Sequence, residues 1–192
     1  MGFPQSITPM SGEFKLDNAI RYGVRFNWAT HGHWGEEFFY SFEPNTAHFT
    51  RLTTPPRSLD LDLHVQNLGV NAMYYLNENE TLRIHPFLSV GLGATIYQLT
   101  QEAKAIARDP LRGNLPDLDS SSEFALNYGG GFKWRFSNYV GFRLDVRGIV
   151  GREPSFGLAR SSNDPRATVF PNTGAIFNGN ATAGLVFYFK KP

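Results

Sequence analysis

The sequence contains no cysteine, few charged residues and no long apolar run. The absence of cysteine excludes disulfide scaffolds, thiol nucleophiles and thiolate metal sites. Charged residues make up 18% of the 192 residues, against roughly 25% in an average soluble domain. The formal net charge is only +1, so electrostatics give no reason to expect a nucleic-acid partner. No segment approaches the roughly 18 consecutive apolar residues that a membrane-spanning helix needs.

The N-terminal segment also lacks a secretion signal. Residues 1–10 have no basic start followed by an apolar run, so they do not form a signal peptide. If the protein is exported, we expect its signal peptide to have been removed. The length predicts one domain over residues 1–192, in which residues 1–18 are the most weakly patterned part.

Aromatic residues and glycine are abundant instead. Aromatic residues make up 15% of the chain, which has 17 Phe and 19 Gly. So many large rings argue against a disordered chain, and the shortage of charge argues against a coiled coil.

The strongest pattern is an alternation of apolar and polar residues with a period of two, which predicts β-strands with one apolar face. In the first segment, for example, Tyr22, Val24 and Phe26 alternate with Gly23 and Arg25. Seven segments show this alternation: residues 20–28, 34–42, 68–76, 86–96, 124–136, 140–146 and 181–189.

The connections between these segments alternate between short and long. The short ones are residues 30–33, 77–81 and 137–138, and the long ones are residues 43–60, 99–122 and 151–177. This regularity predicts an up-and-down antiparallel meander with tight turns at one end and long loops at the other. The last segment ends at the short-turn end of the meander. For the N-terminus to lie at that same end, one more strand must precede Ala19, so we predict an eighth strand within residues 3–14. Within the second long connection, Gln101–Arg108 could form a short helix.

Two kinds of barrel fit such a meander: a soluble, lipocalin-like barrel that binds an apolar ligand inside, and a membrane barrel with its apolar face toward lipid. The polar face is rich in Gly, Asn, Ser and Thr rather than in Lys and Glu, as a narrow lumen requires. Segments of about ten residues match the hydrocarbon thickness. We therefore predict an all-β fold, an eight-stranded antiparallel up-and-down transmembrane β-barrel with short periplasmic turns and long outer loops.

Aromatic residues concentrate beside the short turns. This position predicts a girdle of amphipathic rings at the level of the lipid headgroups; the alternative is that these rings cover the end of a soluble core. The predicted girdle consists of Trp28, Trp34, Tyr74, Trp134, Tyr139, Phe187 and Phe189.

Several segments resemble a known family. They are similar to strands of the small eight-stranded outer-membrane β-barrels of the OmpA/OmpX-like type. The segments are Arg21–Asn27, Pro86–Ala94, Gly129–Phe136, Val140–Arg147 and Ala183–Phe189. The resemblance implies a bacterial outer-membrane location, outer-membrane lipid as surroundings and insertion by the barrel insertion machinery. Members of this family usually end on an aromatic residue, whereas here Lys190, Lys191 and Pro192 follow Phe189.

The polar face also carries charged residues, which the barrel would turn inward. We expect the acidic members to bridge the basic ones and plug the lumen, because an eight-stranded barrel is just wide enough for side chains to fill; an anion-selective passage is the alternative. This predicted lumen network consists of Arg21, Arg25, Glu37, Lys133, Arg135, Arg143, Asp145 and Arg147.

The histidines and paired aspartates offer no recognisable catalytic or metal site. His64 and His85 have no serine and acid in the arrangement of a known lipase or acyltransferase, and His31 with His33 lacks a third ligand. The pairs Asp60/Asp62 and Asp117/Asp119 lack the glycine turn and ligand spacing of a calcium loop. We therefore expect no catalytic residue, no metal and no cofactor.

The function expected from these patterns is a non-enzymatic, structural or surface-interaction role. Long loops on a rigid barrel are where binding usually occurs, so a protein or surface ligand would bind at residues 99–122 and 151–177. A lipid-modifying outer-membrane enzyme remains the alternative, and the barrel could also be one subunit of a larger assembly.

Overall fold

In the residues that the structure describes, the protein forms one antiparallel sheet with a single helix. A computed structural model describes residues 12–29, 32–51, 57–77, 82–109, 118–157 and 174–189. Eight strands confirm the predicted all-β fold, and the helix has the predicted bounds. The elements are β1 Gly12–Leu16, β2 Tyr22–Ala29, β3 Trp34–Arg51, β4 Arg57–Tyr75, β5 Ile84–Leu99, α1 Gln101–Arg108, β6 Ser121–Arg135, β7 Val140–Arg152 and β8 Ala175–Phe187. In the part of the chain that the structure describes, no helix is long and apolar enough to cross a membrane.

The strands from β3 to β8 pair in sequence order, as a meander requires. The first two strands depart from that order, because β1 and β2 both pair with β3. Leu16 lies opposite Ala47, and Tyr22 lies opposite Phe42, so β1 and β2 follow one another along the same edge.

The predicted eighth strand is therefore present in part as β1, but it extends the edge of β2 instead of occupying a separate position in the sheet. The remainder of the predicted segment, residues 3–11, lies outside the described residues.

Described strand ends flank each of the three predicted short connections, between β2 and β3, β4 and β5, and β6 and β7, but the prediction of a long loop at residues 43–60 is wrong. Strand β3 continues to Arg51 and β4 begins at Arg57. The loop was predicted because the outward residues become polar here, for example Asp60 and Asp62. Strand pairing nevertheless continues, with Asp62 opposite Thr46.

Strand β4 explains why the outward residues become polar while the pairing continues. Its apolar face points outward near the short turns and inward toward the loop end. Near the short-turn end, Val70 is 60% exposed on the outside while Asn71 is buried inside. Toward the loop end, Asp62 is exposed and Leu63 is buried. Such an inversion is expected of a strand that passes from an apolar medium into water, where its outward residues must be polar.

Inside the loop end, the inverted strands form a small apolar core. Helix α1 packs on this core through Ala103 and Ala107. The core also includes Leu118 and Phe156. We call this cluster the outer cap. Its members are Ala47, Leu61, Leu63, Val65, Tyr97, Leu99, Ala103, Ala107, Leu118 and Phe156.

The interior charge network and the outer cap

Glu37 is the centre of the interior network. It lies on β3 and is 1% exposed. The guanidinium group of Arg143 donates to its Oε2 at 2.6 Å and that of Arg147 to its Oε1 at 2.7 Å, while the Asn71 amide donates to Oε1 at 2.9 Å. A buried carboxylate is tolerated only with such partners. The two arginines belong to β7, so these bonds span the interior of the curled sheet.

Asp145 makes the second connection across the interior. Arg143 Nε donates to its Oδ1 at 2.9 Å, and the guanidinium group of Arg25 on β2 pairs with the same carboxylate. Arg25 also donates to the hydroxyl of Thr182 on β8 at 3.2 Å. The sheet therefore curls far enough for its first edge to reach its last two strands.

Lys133 occupies the part of the interior nearer the short turns. Its Nζ donates to Asn27 Oδ1 and to the Tyr75 hydroxyl, both at 2.7 Å. The ammonium group also lies 5.1 Å from the Tyr75 ring centroid, and the guanidinium group of Arg143 lies 4.4 Å from that of Phe87. These ring faces attract cations, so the basic side chains are held by aromatic rings as well as by acids.

The two remaining members of the predicted network lie apart from its centre. Arg21 pairs with Glu43 at 2.6 Å toward the loop end. Arg135 lies over the ring of Tyr188 at 4.9 Å toward the short turns. The structure thus places all eight predicted residues on the inner face and joins five of them, Arg25, Glu37, Arg143, Asp145 and Arg147, in one cluster.

Sequence reasoning missed Glu43, which is 5% exposed on the same face as Glu37. The residues between them alternate regularly, so continuing the period of two past Phe42 would have assigned Glu43 to the interior. The predicted loop at residues 43–60 prevented that step. The partners Asn27, Asn71 and Tyr75 carry no charge, so a search for charged residues on the inner face does not identify them.

The predicted aromatic girdle lies on the outer face beside the short turns. The ring of Trp34 contacts that of Tyr74 edge to face, with centroids 5.2 Å apart, and His33 stacks on Tyr74 at 5.0 Å. Trp28, Trp34 and Trp134 are 58%, 57% and 45% exposed. Tyr139, Phe187 and Phe189 are also exposed. All seven rings therefore lie on the outer face, whose exposed apolar residues we call the apolar band.

His48 bridges two aspartates on the outer face, beyond the apolar band. Its Nε2 lies 3.0 Å from Asp17, next to β1, and its Nδ1 lies 2.7 Å from Asp60 on β4. The carboxylates of Asp60 and then Asp17, which accept hydrogen bonds from the imidazole, raise the pKa of His48 above its usual value. The bridge ties the start of the chain to the extended part of β3 and β4.

The other histidines that the sequence offers as candidates contact neighbouring groups. His64 packs its ring 5.0 Å from that of Phe42, and His85 Nδ1 lies 3.2 Å from Asn77 Oδ1. His33 Nδ1 lies 2.5 Å from the Tyr75 carbonyl oxygen. His31 and Asp117 lie outside the described residues. Among those that are described, no group of three or more His, Asp or Glu could bind a metal ion.

Helix α1 is held by an N-terminal cap and by an ion pair from its first half. The Thr100 hydroxyl accepts a hydrogen bond from the Ala103 amide at 3.1 Å, which caps the N-terminus. Lys104 forms an ion pair with Asp119 on the segment that leads into β6, and this hydrogen bond lowers the pKa of Asp119. The helix therefore presents a fixed outer surface, with Gln101, Glu102 and Ala105 exposed.

A cavity of about 1960 Å³ lies beside the network. It is lined by both edges of the sheet, β1 and β2 on one side and β8 on the other. Within the described ranges, the backbone of β8 pairs with β7 alone. We call this gap between the two edges the lateral seam.

The comparisons with known proteins identify one family. The family model of the outer membrane protein beta-barrel domain matches residues 6–189. No curated protein and no solved structure matches the chain.

Proposed function

The chain belongs to the outer membrane protein beta-barrel domain family, and from this premise we propose that it is a non-enzymatic barrel with a plugged interior that acts through its outer surface. The protein is located in the bacterial outer membrane, and the proposed orientation has the short turns on the periplasmic side and the long loops outside. The soluble, lipocalin-like alternative is therefore wrong.

The proposal of a plugged interior rests on the position of Glu37. Its carboxylate accepts hydrogen bonds from two arginines of β7 on the far side of the interior, so the bonds cross the path that an ion would take. Arg25 and Asp145 make a second crossing. Moving these groups aside would leave buried charges without partners, which costs several kcal/mol.

Single-channel recording tests the plug. The purified protein in planar bilayers should give negligible conductance, while Glu37→Gln, which weakens both arginine contacts, should produce brief openings. Glu36→Gln is the matched control, because Glu36 is the adjacent residue on the exposed face. Steady, large openings of the unmodified protein would overturn the proposal.

The outer cap supports a role at the cell surface. Apolar packing holds Ala103 and Ala107 against the inner face of the outer strands, and the exposed side of α1 is left for contact with a partner. Rigid presentation lowers the ordering cost of binding. The loops at residues 99–122 and 151–177, of which the structure describes 99–109, 118–122, 151–157 and 174–177, would supply the contacts.

Cysteine labelling tests which side carries this surface, since the chain has no cysteine of its own. On intact cells, a membrane-impermeant maleimide should label Glu102→Cys on α1 and leave Asn138→Cys, in the last short turn, unlabelled. Both residues are exposed, so accessibility in the folded protein does not distinguish them. The reverse labelling pattern would invert the proposed orientation.

The non-enzymatic assignment has its own test. Membranes that contain the protein should show no modification of their lipids beyond those that lack it. A lipid-modifying activity that disappears in His64→Ala or His85→Ala would contradict the assignment and support the enzyme alternative.

A further inference from the structure

The interior cluster contains more arginines than acids. Arg25, Arg143 and Arg147 share two carboxylates, those of Glu37 and Asp145. Arginine stays charged in proteins, so one positive charge of this cluster has no acid among the described residues that form it. A buried charge is strongly disfavoured unless a group of opposite charge lies beside it.

Arg147 is the member of the cluster with the most unused bonding capacity. Its side chain belongs to a residue that is only 3% exposed, and its Nη2 donates to Glu37 Oε1 at 2.7 Å. Its Nε and Nη1 are buried, and neither has a hydrogen-bond partner among the described residues. Buried N–H groups normally have an acceptor, so this side chain needs a further one.

Arg143 provides another open donor next to it. Its Nε donates to Asp145 and its Nη1 to Glu37, whereas its buried Nη2 has no partner in the part of the chain that the structure describes. Because Arg143 and Arg147 donate to the two oxygens of one carboxylate, their guanidinium groups are neighbours. The open donors therefore belong to two adjacent cationic groups.

The residues beside Arg147 in the sheet provide no acid. Gly129 on β6 and Asn180 on β8 lie directly opposite it. Gly129 has no side chain, and Asn180 carries an uncharged amide that lines the same cavity. Water satisfies N–H groups but supplies no negative charge, and this cluster needs both an acceptor and a charge.

We propose that the barrel interior binds one small inorganic oxyanion of the phosphate class at Arg143 and Arg147. Such an ion supplies the negative charge, and its several oxygens accept from both guanidinium groups at once, a geometry that suits arginine. The site goes beyond the proposed plug and does not depend on it, because the open donors would bind the anion whether or not ions cross the barrel.

Basic side chains line the approach to this site from the short turns. Lys133 and Arg135 line the same cavity as Arg143 and Arg147. The Nζ of Lys133 donates only to uncharged oxygens in the hydrogen bonds that it makes to side chains. At the loop end, by contrast, the apolar outer cap lies inside the sheet. We therefore expect the anion to enter from the short-turn end, where positive charge attracts it.

Equilibrium dialysis with radiolabelled inorganic phosphate tests the site. The full chain is purified in a non-ionic detergent and dialysed in about 0.15 M sodium chloride, which screens surface charges beyond about 8 Å. We expect one phosphate to bind per chain under these conditions. Absence of saturable binding overturns the proposal, and so does displacement of phosphate by an equal concentration of additional chloride, which would show no preference for an oxyanion.

Asn180→Asp is the decisive variant. It places a carboxylate directly opposite Arg147 in a side chain of the same size, so the protein itself supplies the charge and the fold should be retained. The affinity for phosphate should fall about tenfold or more, the effect of losing a charge-assisted hydrogen bond. An unchanged affinity would locate the phosphate elsewhere and overturn the proposal.

Two further variants examine the arginines. Arg147→Gln should weaken phosphate binding as Asn180→Asp does; if it fails to fold, Asn180→Asp still decides. Arg152→Gln is the matched control, because Arg152 lies on the same strand but is exposed at its outer end. Its affinity should stay within about twofold of the unmodified protein, as expected of a distant site. An equal loss in this control means an adventitious ion only, drawn by overall charge.

Unfolding in urea gives a second readout. Phosphate should raise the urea concentration at which half of the unmodified protein is unfolded, because a ligand that binds only the folded state stabilises it. Asn180→Asp should show no such rise; a rise of the same size in both would overturn the site. Conductance is recorded separately, so a barrel that conducts ions and binds phosphate contradicts the plug alone, and a silent barrel that binds no phosphate contradicts this site alone.

Discussion

Glu37 shows how a single residue can organise the interior of a membrane barrel. It accepts hydrogen bonds from Arg143, Arg147 and Asn71, so its two oxygens are satisfied from two directions. Isolated charges at this depth would be expensive, and the network exists because acids and bases of different strands meet. Removing one member of a buried ion pair in this network therefore lowers the free energy of unfolding by more than the net amount that the pair contributes.

Replacing Glu37 by Gln should destabilise the fold. The substitution keeps the volume but leaves the buried Arg147 without its anion and Arg143 with Asp145 alone, and breaking such a pair costs about 3–5 kcal/mol. Urea-induced unfolding in lipid vesicles measures this free energy. Glu36→Gln, on the exposed face, should change it by less than about 0.5 kcal/mol; equal effects of the two variants would contradict a central role for Glu37.

The bridge formed by His48 should make the attachment of β1 dependent on pH. Contacts with Asp60 and Asp17 raise the pKa of His48 in the folded state, so the charged imidazole stabilises that state. This stabilisation is fully present below the unfolded pKa of about 6.5 and is lost as the pH rises through the higher folded value.

NMR titration of the imidazole should therefore give a pKa above about 6.5, the value of an unperturbed histidine. The protection of the β1 amides against exchange, expressed relative to the intrinsic rate at each pH, should fall between slightly acidic and alkaline pH, and His48→Gln should remove this pH dependence of the protection. Asp62→Asn, which changes an aspartate that bonds Thr46 rather than His48, should retain it. A pH dependence that survives His48→Gln would refute the assignment.

At the scale of secondary structure elements, β3 and β4 are longer than the lipid requires. They have 18 and 19 residues, whereas about 9–11 cross the hydrocarbon. Their outer parts remain paired because the inward residues become apolar and pack with α1. The apolar face simply changes sides, so a search for outward apolar residues finds the strands within the membrane and misses their extensions.

Helix α1 should depend on that packing. Ala107→Asp places a carboxylate in the outer cap, where Ala107 is fully buried, and should detach the helix, because an unpaired buried charge is strongly disfavoured. Ala105→Asp on the exposed side of the same helix is the matched control for helix propensity.

Limited proteolysis on intact cells measures the detachment. Cleavage within residues 99–122 should be faster in Ala107→Asp than in Ala105→Asp, while the membrane part of the barrel stays protected in both. If the two variants are cleaved equally fast, α1 does not depend on the outer cap.

At the scale of the whole molecule, the amino-acid composition is explained by the location in a membrane. The low charge content reflects a surface that faces lipid over much of its area, and the aromatic residues concentrate where this surface meets water. Trp28, Trp34 and Trp134 all lie beside short turns on the outer face, and amphipathic rings prefer that interface.

Depth-dependent quenching tests this arrangement. Lipids brominated near the headgroup should quench the fluorescence of the three tryptophans more than lipids brominated near the end of the acyl chain. A single tryptophan introduced by Leu126→Trp, in a variant with the natural three replaced by Phe, should show the opposite order, since Leu126 lies within the apolar band. The same order at both depths would disprove the girdle.

The sequence alone determined the class of fold, the lipid-facing side, the short turns and helix α1, because each is expressed in a local period or in turn length. It also placed the eight charged residues on one face by parity. Only the tertiary structure decided which of them meet: the pairing of Glu37 with Arg143 and Arg147 depends on how far the sheet curls. Likewise, β1 and β2 share one edge because both find partners on an extended β3, and a period of two carries no information about which strand lies beside which.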